Sequence, residues 1–441
     1  MKYRNRTPGV RAAAVSFVLV SAIFLRPSTI QGADRDEKVA WLRQHTNAIK
    51  SIDPQNIDFS DLGHFADSIA DARVVILGEA SHGDGSSFLA KSRLARFLHE
   101  ELAFNVMVWE SSFYDCAIAS KSLADLGRWQ SAVNQAVLPI WTGSRQCQEI
   151  FEYLHRTQST GQPMFFAGCS WYLAETSSLF DDVAVYVRSI DSDLPTTLQN
   201  QALQSIKVLL QSQSTRPGKA VRPPELEQIA GLILAVQSRL EQAGSPEEKR
   251  IAGFMTVALE NLREYVLERN RPLSKGGSDD SPIGIQEGRN LVFLARDYFP
   301  GEKLIVWCHS GHAIRNTRQI EDGPFHIDKA LTMGHVAHQT LGSDMFTIIA
   351  LAHHGHYGLW WDDPRQLPTP PGDSLEDLFH QTGMVHGLLD LRRIPSGVWL
   401  SRPLVASPIA YSPMRSRWPE IADAIFFIDE MSPSKGLSIP K

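Results

Sequence analysis

Glutamates and histidines stand at the ends of several short apolar runs in this chain, and those side chains can move protons. Glu79 and His82 follow the run Arg73–Leu77 in the segment GEASHG. Glu110 follows Asn105–Trp109, and His309 and His312 follow Lys303–Trp307 in CHSGH. Hydrolysis of an ester needs a group of near-neutral pKa to take a proton from water, and imidazole is the side chain whose ordinary value lies there. His82 is the expected base. Glu79 or Glu110 on its other ring nitrogen would hold the tautomer and stabilise the imidazolium as it forms. The developing oxyanion needs donors, and Lys91, or His309 or His312 in protonated form, could supply them.

Other chemistries fit the residues less well. No GxSxG elbow occurs for a serine nucleophile. Cys308 beside His309 fails as a nucleophile–base pair because consecutive strand residues face opposite sides. A metal remains a rival reading: His309 and His312 as HxxH, with Glu79, His82 and Glu110, offer nitrogen and oxygen ligands for zinc or manganese. His335 and His338, and the group His353, His354 and His356, widen that option.

The elements that would position these residues alternate. Helical spacing marks Asp34–Asn47, Phe59–Ser68, Ser86–Leu102 and Gln146–Arg156. Short apolar runs mark strands at Arg73–Leu77, Asn105–Trp109, Met164–Ala167, Lys303–Trp307, Phe346–Leu351 and Ala424–Ile428. A strand–helix–strand unit makes its two strands parallel, so their ends share one edge. The expectation is an α/β fold: a mostly parallel central sheet, doubly wound and flanked by helices. In such sheets the functional crevice lies beyond the carboxyl ends of the strands. That edge is where the polar residues stand, including Cys169 and Ser170 after the third strand. Between about 176 and 300 the pattern is helical, at Asp182–Ser189, Leu198–Gln211, Glu225–Gln242 and Pro246–Asn270. It reads as an insertion forming a lobe over the C-terminal edge of the strands, with a packing layer without ligand contact as the alternative. Trp360–Gly372, with Pro364, Pro368, Pro370 and Pro371, reads as a loop.

Composition bounds the function. The 441 residues are 43% hydrophobic and 21% charged, an ordinary globular balance. A net charge of −6 and the lack of a basic run beyond the N-terminus argue against nucleic acid as a partner. Lys2, Arg4, Arg6 and Arg11 precede the apolar stretch Ala12–Leu25, too short for a comfortable membrane span. Residues 1–33 are therefore expected to be a secretory signal, with an uncleaved anchor as the alternative, and the chain to be exported to the periplasm or outside the cell. Residues 34–441 form the expected hydrolase domain. Cys116, Cys147, Cys169 and Cys308 show no CxxC spacing, and their pairing is not legible.

The stretches VVILGEASHG, RFLHEELAF, the strand ending WE, VWCHSGHAIRN, MGHVAHQTLGSDMFTI, SLEDLF, LLDLR and FFIDE, in this order, resemble the erythromycin esterase family over almost the whole mature chain. The resemblance implies an α/β core with helical lobes around a cleft and metal-independent hydrolysis of a macrocyclic lactone or related ester. By the same match His82 is the base and Glu79 its motif carboxylate, while Glu110, His309 and His312 match the family's other strand-end residues. Lys91 and Arg315 are expected to contact a small-molecule ester or lactone. No cofactor is implied, and a divalent metal is left open. Three departures bear on substrate: Lys91 stands where the family commonly has arginine, Cys169–Ser170 replaces an aromatic followed by aspartate, and IGIQEGRN lacks the usual arginine, aspartate and methionine.

Overall fold

The computed structural model describes residues 34–69, 71–174, 176–190, 223–269 and 282–437. The expected signal segment and the helix expected at Leu198–Gln211 lie outside them. Strands occur at Asn47–Ala48 (β1), Val74–Glu79 (β2), Val106–Ser112 (β3), Phe165–Ser170 (β4), Leu304–His309 (β5), Met345–Tyr357 (β6), Arg365–Gln366 (β7), His386–Asp390 (β8), Leu404–Ala406 (β9), Met414–Ser416 (β10) and Ala424–Met431 (β11).

Among the described residues, one nine-stranded sheet has the order β1-β8-β11-β6-β2-β5-β3-β4, with β7 on β6, and β9 pairs with β10 separately. The run from β11 to β4 is parallel. β8 and β1 extend it antiparallel at one edge. The expected α/β fold with a mostly parallel sheet is what the chain adopts. β8 was not anticipated, and the proline-rich loop contributes the short β7.

The strands are apolar on both faces because helices cover both, the usual condition of a parallel sheet. Val75, Leu77, Met107, Trp109, Ile305 and Trp307 point to one side, where they pack with residues of the helices Gly85–Leu102 and Gln148–Thr157. Their neighbours Val74, Ile76, Val106, Val108, Leu304 and Val306 point to the other. There they meet Ile229, Val236, Leu259, Leu262 and Leu291, from the helices Pro223–Gln242, Pro246–Arg269 and Pro282–Phe293 of the expected insertion. The described part of the insertion thus flanks one face of the sheet. Its last helix also reaches the C-terminal edge, where Asn290 Nδ2 donates to the Cys169 carbonyl at 2.8 Å.

Strand order matters most for function. β2 and β3 are joined through one helix, yet β5, from far along the chain, lies between them. Glu79 is the register partner of His309, and Trp109, just before Glu110, is that of Trp307. Three consecutive strand ends therefore present Glu79, His309 and Glu110 side by side, at an inter-strand spacing of about 4.8 Å.

Candidate active site

His82 lies in the turn between β2 and the helix Gly85–Leu102. That turn is tied by Ser81 N–H to Asp84 Oδ2 (2.8 Å) and Gly83 N–H to Ser81 Oγ (3.1 Å). It is also packed against backbone. A Cβ on Gly83 would come within 2.5 Å of Gly358, and one on Gly85 equally close to the Pro433 carbonyl oxygen, so both positions need glycine.

Glu79 is fully buried at the foot of the turn. Its Oε1 accepts from His82 Nδ1 at 3.2 Å and from Trp141 Nε1 at 3.3 Å. Its Oε2 is held by the Lys91 ammonium, which also donates to the Cys308 carbonyl (3.2 Å) and lies 4.2 Å from the Trp307 ring centroid. Burial works against the charge of Glu79, but Lys91 and His82 outweigh it and hold the carboxyl below its ordinary range. A carboxylate only accepts, so the His82 proton sits on Nδ1 and, in the neutral ring, the lone pair sits on Nε2. The His82 side chain is one-third exposed, with Nε2 4.0 Å from Glu110 Oε1. Burial disfavours its charged form, yet the bond to Glu79 and the charges of Glu110 and Glu79 prevail and raise its pKa.

Glu110 binds the late histidines together. Its Oε2 accepts the His309 backbone N–H at 2.7 Å, and its Oε1 lies 3.3 Å from His312 Nε2. His312 Nδ1 meets Glu287 Oε2 at 2.7 Å. Burial opposes the His312 charge, but Glu110 and Glu287 overcome it and push the pKa up to about 10. His312 is thus an imidazolium clamped between two carboxylates. His309 is its opposite: Gly311 N–H donates to His309 Nδ1 (3.0 Å), so the ring proton is on Nε2 and donates to the Ala80 carbonyl (2.9 Å). Burial and the neighbouring His82 push its pKa down to about 3. The ring stays neutral and shapes the floor of the site, with its centroid 5.0 Å from that of His82.

Glu79, His82, Glu110, His309 and His312 accordingly lie together at or just beyond the ends of β2, β3 and β5, linked by hydrogen bonds and close contacts. Three expectations are corrected. Lys91 is buried behind Glu79 and cannot serve as a substrate or oxyanion donor. His309 is not a protonated donor, because both ring nitrogens are spent on backbone groups. Arg315 is buried and bidentate to Asp423, at 2.8 and 2.9 Å, so it braces the fold. Cys308 is buried with its thiol pushed well up by burial, as suits a structural residue.

Two residues of the site escaped sequence reasoning. Trp141, edge-on to His82, sits in a short helix Pro139–Thr142 whose sequence carries no signal. Glu287 projects from the helix Pro282–Phe293 of the insertion, where a glutamate in a helical pattern reads as surface. Its near-complete burial is what marks it.

The nitrogens of His309 face backbone partners and those of His312 face carboxylates, so neither imidazole has a lone pair to offer without losing a bond it already makes.

The sequence profile of the erythromycin esterase family matches residues 99–431, which includes Glu110, Glu287, His309 and His312 and begins after the His82 turn. A Bacillus subtilis (strain 168) protein named "Putative hydrolase YbfO" is 22% identical over 424 residues, covering 89% of this chain and 91% of its own. A crystal structure of a Bacillus cereus protein superposes with a TM-score of 0.74 at 15% identity, over 92% of this chain and 100% of that one. An erythromycin esterase, EreC, in its open conformation gives 0.65 at 16% identity, over 90% of this chain and 99% of that one. With a profile match across most of its length, and a sheet whose strand ends gather these carboxylates and imidazoles, the chain belongs to the erythromycin esterase family of hydrolases.

Proposed function

We propose that the chain hydrolyses a carboxylic ester or lactone by general-base activation of water at His82. The observation that carries this reading is the arrangement of one ring. His82 Nδ1 is anchored on buried Glu79, while the side chain is one-third exposed and its Nε2, 4.0 Å from Glu110 Oε1, makes no hydrogen bond of its own among the described residues. A water on Nε2 gives up a proton as its oxygen forms a bond to the ester carbonyl carbon. The imidazolium that results is stabilised by Glu79 and Glu110. Charge accumulates on the carbonyl oxygen, and His312 can lower its energy by turning its Nε2–H from Glu110 Oε1, 3.3 Å away, to that oxygen. The carbon–oxygen bond to the alcohol then breaks, and the proton on His82 Nε2 passes to the leaving oxygen. Water is consumed, acid and alcohol leave, and no metal takes part.

The substrate is read as a small molecule, with macrocyclic lactones among the candidates on the strength of the family. Export is supported by the basic and apolar N-terminal sequence. No helix among the described residues is long and apolar enough to cross a membrane.

The test is a panel of esters and lactones, macrolides included, incubated with the protein and with His82→Asn and read by mass spectrometry for uptake of one water. The variant is expected to lose about 10²- to 10⁴-fold in rate on whichever compound the protein cleaves. Equal turnover by the two proteins would remove His82 from the chemistry. Binding without turnover across the panel would leave the site as a ligand pocket.

A further inference from the structure

Beyond the hydrolytic centre, β6 and β11 run on past the end of β2 and carry a second group of histidines. We propose that His353, His354, His380 and Asp429 form a binding site for a divalent transition cation of the zinc class. His353 and His354 lie on β6, four and five residues beyond Ile349, the register partner of Gly78. His380 ends the helix Leu375–His380, and Asp429 lies on β11. Three elements thus place one ligand atom each, or two from β6, all within 4.8 Å of one another.

The spacing of the ligand atoms is close to that of a tetrahedral site, and binding would turn the stacked His353 and His380 rings so that their in-plane lone pairs meet at one ion. Zinc–nitrogen bonds of about 2.05 Å require neighbouring ligand atoms to stand about 3.3 Å apart. His353 Nδ1 and His354 Nδ1 face each other at 3.4 Å, and His354 Nδ1 is 3.9 Å from Asp429 Oδ1. His380 Nδ1 bonds the same carboxylate oxygen at 2.7 Å, and its ring stacks on that of His353 with centroids 3.8 Å apart. These two imidazoles come from distant parts of the chain, so their alignment is a feature of the tertiary structure. A cation entering here takes the Nδ1 lone pair of His380, whose ring proton then sits on Nε2. The side chains of His354, His380 and Asp429 are 47%, 38% and 23% exposed, which leaves an ion free access. Three imidazoles and one carboxylate select zinc or its borderline neighbours over magnesium and calcium, which prefer all-oxygen sets.

The site would also act on its surroundings. A few residues past His354 and Asp429, the chain leaving these two strands grips the His82 turn: the backbone N–H groups of Gly358 and Ser434 both donate to the Gly83 carbonyl, at 3.2 and 2.9 Å. A bound ion therefore ties together the elements that brace that turn.

Untagged full-length protein, stripped with a chelator, is dialysed against zinc chloride at micromolar free zinc, and bound metal is measured by elemental analysis and calorimetry. Parallel samples receive magnesium or calcium chloride. One zinc per chain is expected, with no uptake of the other two, and a rise in Tm of several degrees on loading. The His353→Asn/His380→Asn protein, checked for native circular dichroism, should lose both effects, whereas His82→Asn/His312→Asn should keep both. Failure of the stripped protein to bind zinc would overturn the proposal. So would full binding by folded His353→Asn/His380→Asn protein, or loss of binding in His82→Asn/His312→Asn protein, which would move the ion to the hydrolytic centre.

Discussion

Glu79→Gln separates what Glu79 does for the fold from what it does for His82. The amide keeps the shape and removes the charge. Glu79 is fully buried and Lys91 nearly so, with its ammonium on the Glu79 carboxylate, so the variant strands a cation away from water. Breaking one side of a buried ion pair costs about 3–5 kcal/mol. With an unfolding entropy of about 2.1 cal/mol/K per residue, a chain of about 400 residues loses about 1.2 °C of Tm per kcal/mol, so a fall of about 4–6 °C is expected by differential scanning fluorimetry. Catalysis should suffer independently, because His82 loses the partner that fixes its tautomer and stabilises its cation, and kcat should drop by about 10³- to 10⁴-fold. The double variant Glu79→Gln/Lys91→Met removes the stranded charge and should recover most of the lost Tm while kcat stays low. A double variant that regained wild-type kcat would refute the catalytic role, and an unchanged Tm in the single variant would refute the buried pair.

Three further outcomes follow from the same geometry. His82 must be neutral to act as a base and its pKa is raised, so kcat/KM should climb with pH through a midpoint above the ordinary imidazole value of 6.5. Burial pushes the nearby Asp84 carboxyl up to about 7, so the profile is repeated with Asp84→Asn, and disappearance of the limb in that variant would take it away from His82. His312 is raised from 6.5 to about 10, so its stabilising contribution is complete below about 6.5 and is lost as pH rises through about 10. Glu287→Gln should bring the His312 pKa down, visible as a shifted imidazole titration by NMR, and move the alkaline loss of activity to lower pH; an unmoved titration would contradict the clamp. Arg315→Ala should cost about 1–3 kcal/mol in urea unfolding, because Asp423 loses one charged partner but keeps Arg392, with KM unchanged in the folded protein; a raised KM without lost stability would restore Arg315 to substrate binding.

Much of this site can be read before folding. The residue types and their places after β-branched runs identify His82, Glu79, Glu110, His309 and His312, since hydrophobic period and strand length are local properties of the chain. A single helical crossover likewise implies that β2 and β3 end on one edge. What local pattern does not encode is which strand lies next to which. Only packing over the whole chain inserts β5 between β2 and β3, and that insertion brings Glu110 to the His309 N–H. It also decides that Lys91 backs Glu79 from below, that Arg315 belongs to Asp423, and that Glu287, on a helix unremarkable in sequence, reaches His312. The charge of an imidazole follows the same division. Its ordinary pKa is a property of the residue, but whether burial or neighbouring carboxylates prevail is a property of the assembled fold. His309 is neutral and His312, three residues on, is a cation, because one faces backbone groups and the other faces two acids.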